Sequence, residues 1–211
     1  MKILIIGDGG HSKVVKDIIL SNTQYEIVGY LDDKYIEIIL VNGIYFGPIS
    51  AIGEMINKFQ KVKVVIAVGN NKMRSLIFGR LNLYDCSFAT LIHKTAVVSP
   101  TARLGNGTVV MPYAVINADT IVGEHVIINT GVVIEHDNQI GRFAHVSPHS
   151  TLAGSVSIEE GVHVGVAAAL IPGVHVGEWA TIGAGAVVIN DIPPKYTVVG
   201  IPARVINVEN Y

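Results

Sequence analysis

Glu135-His136-Asp137 interrupts a largely apolar stretch with a base flanked by two carboxylates. A histidine serves as a general base when a partner fixes its tautomer, and an adjacent carboxylate does this if the backbone turns both toward one cleft. Successive strand residues face opposite sides, so Asp137 can orient His136 only near a corner; a solvated surface histidine is the competing reading. His145 and His163 stand eighteen residues apart and read as a ligand-facing ladder or a metal pair. Zinc needs three or four tetrahedral ligands, and a third would have to come from another face or another subunit. His93, His125, His149 and His175 share no such relation and read as surface residues.

A second cluster lies near the start of the chain. Gly7-Asp8-Gly9-Gly10-His11-Ser12 closes an apolar run and opens a helical pattern, where free backbone N–H groups and the helix dipole favour a phosphate. A tight turn with no ligand is the alternative. Ser12 stands where the dinucleotide fingerprint G-x-G-x-x-G requires its third glycine, which weighs against NAD. Asp32 and Asp33 end the second strand, where α/β sheets place acids that bind a ribose, a base or a sugar. Gly69-Asn70-Asn71 precedes a helix, so an asparagine serves as N-cap, and Arg74 one turn later is positioned to meet a phosphate.

Two kinds of element must hold these residues. Over residues 1–90 short apolar strands (Lys2 to Ile6, Tyr25 to Leu31, Val62 to Val68) alternate with helical spacing over His11 to Leu20, Ala51 to Phe59 and Lys72 to Leu81. That alternation predicts an α/β, Rossmann-like domain on a small parallel sheet. From Ile92 onward every sixth residue is aliphatic, through Val110, Ile128, Val146 and Val164 to Val188, and the residue four further on is nearly always small or β-branched. A period of six fits neither an amphipathic helix nor a simple strand; it predicts a left-handed parallel β-helix of hexapeptide repeats over residues 91–211. Three hexads close one coil, so residues eighteen apart stack at about 4.8 Å. The boundary falls near Thr90 to Lys94 with no Gly/Ser linker.

Composition excludes other classes. A formal charge of −2 and the absence of a Lys/Arg run leave no field for nucleic acid. Mean hydropathy is +0.48, yet the longest apolar runs fall far short of the ~20 residues of a spanning helix, so no membrane insertion is expected. The early Gly7 and Asp8 interrupt any signal-peptide apolar region, and the single Cys86 reads as a buried strand residue in a reducing compartment. The expected location is cytoplasmic.

With these segments in hand the whole chain, from Gly7 to Arg204, resembles the hexapeptide acetyltransferases of the sialic acid O-acetyltransferase and UDP-4-amino-sugar N-acetyltransferase group, bacillosamine type. The resemblance is carried by Gly7-Asp8-Gly9-Gly10-His11, Leu31-Asp32-Asp33-Lys34, Ala67-Val68-Gly69-Asn70-Asn71, Asn129-Thr130, Val133-Ile134-Glu135-His136 and His145-Val146-Ser147. It implies acetyl transfer from acetyl-CoA to the amino group of a UDP-4-amino-sugar in glycan precursor synthesis. The nucleotide sugar would be held by Gly9, Gly10, His11, Asp32 and Asp33. Acetyl-CoA would lie between two subunits of a homotrimer, contacting His145, Val166 and Ala184, and no metal is expected. His136 takes the base position; a glutamate follows it in the family pattern, and here Asp137 does. Gly154, one coil above His136, matches a position whose N–H could face the oxyanion. Sugar O-acetylation, a zinc-dependent hydratase on the same helix and a non-catalytic trimeric binding protein remain the alternatives.

Overall fold

The structure, a computed structural model, describes residues 1–208. In the N-terminal part, β1 (Lys2–Ile6) lies between β2 (Glu26–Leu31) and β5 (Val62–Ile66) and is parallel to both. A strand paired on both edges and covered on both faces reads as a continuous apolar run, and Ile3 to Ile6 are all fully buried. Helix α1 (Gly10–Leu20) turns Ser12, Val15, Ile18 and Ile19 inward, the three-and-four spacing of a helix face. Helix α3 (Asn71–Leu81) starts at Asn70, whose Oδ1 accepts from Met73 N at 2.9 Å, the expected cap. Helix α2 (Ile52–Phe59) lies between β2 and β5 in sequence.

Two expectations need correction. The sheet is mixed rather than parallel, because β3 (Ile39–Val41) and β4 (Ile44–Gly47) form a hairpin whose second strand extends the sheet beside β2. Its turn is Asn42-Gly43, at φ +50° and +82°, the left-handed pair that two-residue hairpins prefer. The backbone around Cys86 forms a 3-10 turn, Asp85–Ser87, rather than a strand; the burial expected of the Cys86 side chain lies outside the described residues.

From Leu91 the chain winds into a left-handed parallel β-helix of seventeen two-residue strands, β6 (Leu91–Ile92) to β22 (Val187–Val188). Partners eighteen apart pair in strict register, as in Ile116 with Ile134 and His145 with His163. Three sheets form the faces of the prism, and a hairpin of Tyr196–Val199 and Arg204–Val208 extends one of them at the end. The aliphatic series and the small series both point inward, so that Ala114, Ile116, Val126 and Ile128 are all fully buried. From Gly107 to Gly185 every corner holds one residue in the left-handed region, such as Asp137 at φ +59° and Gly161 at φ +68°.

The two parts are welded together. Leu91, Val109, Met111 and Ile127, outward on one solenoid face, pack with Ile3, Ile5, Val15 and Val65 of the N-terminal sheet and helix. Beside this seam lies Arg74, only 1% exposed, so the phosphate contact expected of it is not available. Its Nε donates to His125 O at 2.8 Å, Nη1 to Val68 O and Gly69 O, and Nη2 to Phe143 O, Ala144 O and Asn71 Oδ1. The guanidinium fork thus spans both parts.

His125 corrects a further expectation. It is 1% exposed, not a surface residue, and its ring stacks on Phe143 at 5.4 Å and meets Phe88 edge-on at 4.6 Å. Burial, reinforced by the guanidinium groups of Arg74 and Arg142, pushes its pKa down to about 3. The unfolded chain therefore takes up this proton first as pH falls below ~6.5. Stability is complete above that value and should decline by up to about 1.4 kcal/mol per pH unit until the folded pKa is reached. Thermal melts between pH 7 and pH 4 should show this contribution added to those of His11, His145 and His163, whose pKa values burial also lowers, and His125→Phe should reduce the slope without abolishing it; an unchanged slope would remove His125 as a contributor.

Candidate active site

His136 and Asp137 leave the strand Val133–Ile134 and enter the corner between two faces. The left-handed Asp137 brings its side chain alongside the histidine. His136 Nδ1 donates to Asp137 Oδ2 across 2.8 Å, with side chains 60% and 59% exposed. A carboxylate can only accept from a neutral ring, so Nδ1 carries the hydrogen and Nε2 is left basic and open to solvent. Above the ring lies Gly154, where a Cβ would stand 2.7 Å from both Cε1 and Nε2 of His136. Gly154 has no left-handed φ; the histidine ring, not the backbone, demands glycine there.

A second polar group sits where the N-terminal part meets the solenoid. His145 donates from Nδ1 to Gly69 O at 3.3 Å and accepts at Nε2 from Asn129 Nδ2 at 3.0 Å. Its ring centroid lies 5.3 Å from that of His163 and 6.4 Å from that of His11. Burial, then the charges of His163, Arg74 and His11, push His145 down to about 3 against the opposing pull of the Gly69 carbonyl. Burial and Arg74 push His11 down to about 4. Both rings are neutral at pH 7, so they recognise by hydrogen bonding rather than charge. His11 Nε2 is buried with no partner among the described residues.

The glycine turn is open. A Cβ at Gly9 or Gly10 would meet nothing within 4 Å, so the N-terminus of α1 is accessible from outside. Asp32 closes the neighbouring loop by accepting from Asp8 N at 2.7 Å and Lys34 N at 3.0 Å, and Asp33 pairs with Arg80 at 2.9 Å. Asp8 accepts from Tyr35 Oη at 2.6 Å and pairs with Lys34 Nζ.

One chain does not bring all these groups together. His145 belongs with His11 and the Gly69 loop, whereas Val166 and Ala184 are exposed on a different corner, eighteen residues apart. His136 occupies a third position, on the corner that follows the face carrying Val115, Val133 and Thr151. The outward residues of that face (Val97, Val115, Val133, Thr151, Ala169 and Val187) are mostly apolar and only partly covered. Among the described residues no group of three His, Cys, Asp or Glu converges to hold a metal ion, and His163 Nε2 is engaged by Ser147 Oγ at 3.0 Å. No helix is long and apolar enough to cross a membrane among the described residues. Asn129 carried part of the family resemblance but no expected role; its contact with His145 is seen only in the structure.

An open helix N-terminus docked on a hexapeptide β-helix, with a His–Asp pair on the solenoid edge, defines a two-part hexapeptide transferase. Residues 2–81 match the PglD N-terminal domain, and residues 101–136 match the bacterial transferase hexapeptide family (six repeats). The UDP-N-acetylbacillosamine N-acetyltransferase of Bacillus subtilis (strain 168) is 45% identical over 109 residues, covering 52% of this chain and 50% of that protein. The chain thus aligns with half the length of that relative. The crystal structure of PerB from Caulobacter crescentus in complex with CoA and GDP-perosamine is 36% identical, with a TM-score of 0.87 over 98% of each chain. The acetyltransferase domain of PglB from Neisseria gonorrhoeae in complex with acetyl coenzyme A is also 36% identical, with a TM-score of 0.87 over 97% of this chain and 98% of that one. The chain belongs to this family of hexapeptide-repeat N-acetyltransferases with a PglD-type N-terminal domain.

Proposed function

We propose that the protein transfers an acetyl group from acetyl-CoA to the amino group of a UDP-4-amino-sugar. The observation that carries the chemistry is the 2.8 Å bond from His136 to Asp137 beneath Gly154. Asp137 holds Nδ1–H, and His136 Nε2 takes the proton as the sugar amine attacks the thioester carbonyl. The Gly154 N–H steadies the oxyanion. The carbon–sulfur bond then breaks, and CoA leaves as the thiol with the proton passed back from Nε2. No covalent enzyme intermediate is needed.

The nucleotide diphosphate rests on Gly9 and Gly10 at the start of α1, with Asp32 and Asp33 at the adjoining loop toward ribose or base. His11 faces the sugar, and its unpartnered Nε2 is a polar atom for it to meet; the neutral His145 beside it stands between the sugar and acetyl-CoA and contacts the cofactor. CoA runs along Val166 and Ala184. Because those residues and His136 stand on different edges of one prism, the complete site is assembled between subunits of a homotrimer packed through the Val115–Val133 face. The working location is the cytoplasm, where acetyl-CoA is available.

Thiol release with acetyl-CoA and UDP-4-amino-sugars tests the reading, with GDP-linked and free sugars as comparisons. Saturable release with the UDP-sugar supports it; release with none of these acceptors rejects it. Gly154→Ala sharpens the geometry. The exposed His136 ring can swing away from the new methyl, so stability should stay within about 0.5 kcal/mol. The displaced base should lower turnover by about 10- to 100-fold. Full turnover in that variant would show that the ring position is not critical.

A further inference from the structure

We infer that Asn138 is a positioning residue for the reaction, fixing the corner that carries His136 and Asp137 against the corner that carries Gly154. It lies in the small inner series of the solenoid and is fully buried. Its Nδ2 donates to Glu135 O at 2.8 Å, to His136 O at 3.2 Å and to Ala153 O at 2.9 Å. Two of these carbonyls belong to the corner of the base. The third immediately precedes Gly154.

Other coils show what the fold itself requires at such a position. Thr108 Oγ1 donates to Gly123 O, Thr120 Oγ1 to Glu135 O and Ser150 Oγ to Gly165 O. Each bridges to the carbonyl fifteen residues ahead, as Asn138 does to Ala153. Thr120 is the residue directly below Asn138 in the stack, and Val156 directly above has no polar atom. A hydroxyl or a methyl therefore suffices for the solenoid. The amide adds the bond to the His136 carbonyl, and it brings a cost, since Asn138 Oδ1 is buried without a partner among the described residues. An unsatisfied buried acceptor is destabilising, because its desolvation is not offset by a bond. A group that the stack does not need, held at such a cost beside the base, is explained by the placement of that base.

The inference rests on the proposed acetyl transfer, and Asn138→Thr separates it from a structural role. Threonine keeps the bridge to Ala153 O in the manner of Thr120 and gives up the other two bonds. The expected result is a kcat about 10-fold or more below wild type, KM for acetyl-CoA and sugar within about twofold, and an unchanged melting temperature. Wild-type kcat overturns the inference, and so does a loss of kcat matched by a loss of melting temperature. If the wild-type protein releases no thiol with any acceptor, the functional reading fails separately. The imidazole C–H resonances of His136, assigned with His136→Asn, then decide: a shift on Asn138→Thr supports the positioning role, and unchanged resonances overturn it.

Discussion

His136→Ala is expected to lower turnover by about 100- to 10,000-fold while acetyl-CoA affinity stays within about twofold. The asymmetry follows from where the ring stands. It is exposed on an edge of the prism, and its contacts are Asp137 beside it and Gly154 above it. Its loss opens no cavity in the core, so melting should be unaffected. Nor does it touch Val166 or Ala184, so CoA should bind as before. What disappears is the acceptor for the amine proton, and raised pH should recover part of the rate by deprotonating the amine in solution. Single-turnover thiol release, combined with calorimetric titration of CoA, makes the measurement. Turnover within about tenfold of wild type would force another base to be sought.

Arg74→Met should cause the largest loss of stability, about 3–5 kcal/mol. Methionine fills much of the volume but leaves the carbonyls of Val68, Gly69, His125, Phe143 and Ala144 without this donor in a buried seam. Burial pushes the pKa of the guanidinium down to about 9, so it stays charged at neutral pH with carbonyl oxygens around it. For a chain of this size the loss corresponds to a fall in melting temperature of roughly 6–20 °C. Scanning calorimetry reads it directly, and a fall under about 2 °C would mean that water replaces the lost bonds. Because Arg74 also holds Gly69 O, the acceptor of His145 Nδ1, the variant should weaken nucleotide-sugar binding even where it remains folded.

The solenoid was legible residue by residue because its rule is local: every sixth side chain must fill the prism, whatever lies elsewhere. The same count left a corner placement of His136 open, since two residues after the inward Ile134 a coil approaches its turn, and the left-handed Asp137 of the structure sets it there. Arg74 was misread because a cation one turn into a helix looks alike whether it faces solvent or another part of the chain. Only the docking of α3 on the solenoid decides between them. His125 failed for a related reason, as its corner is outward in the isolated prism and becomes interior once Phe78 and Phe88 cover it. The hairpin could have been found, since Asn42-Gly43 between Ile39-Leu40-Val41 and Ile44-Tyr45-Phe46 is a strong local turn signal. Asn138 looked like one more small residue, and its geminal N–H bonds became visible only with the carbonyls in place.

The unbroken eighteen-residue coil gives this chain a phase as strict as a codon frame. Between His136 and Gly154, removing a single hexad would carry Gly154 to another edge and leave the base facing an unrelated corner. Removing a whole coil would bring every later residue back to its edge, one strand spacing nearer the N-terminal part. Between these two neighbours in the stack, length can therefore change only in loops that bulge outward at a corner and return to the same phase, and whole coils can be gained or lost only elsewhere in the solenoid.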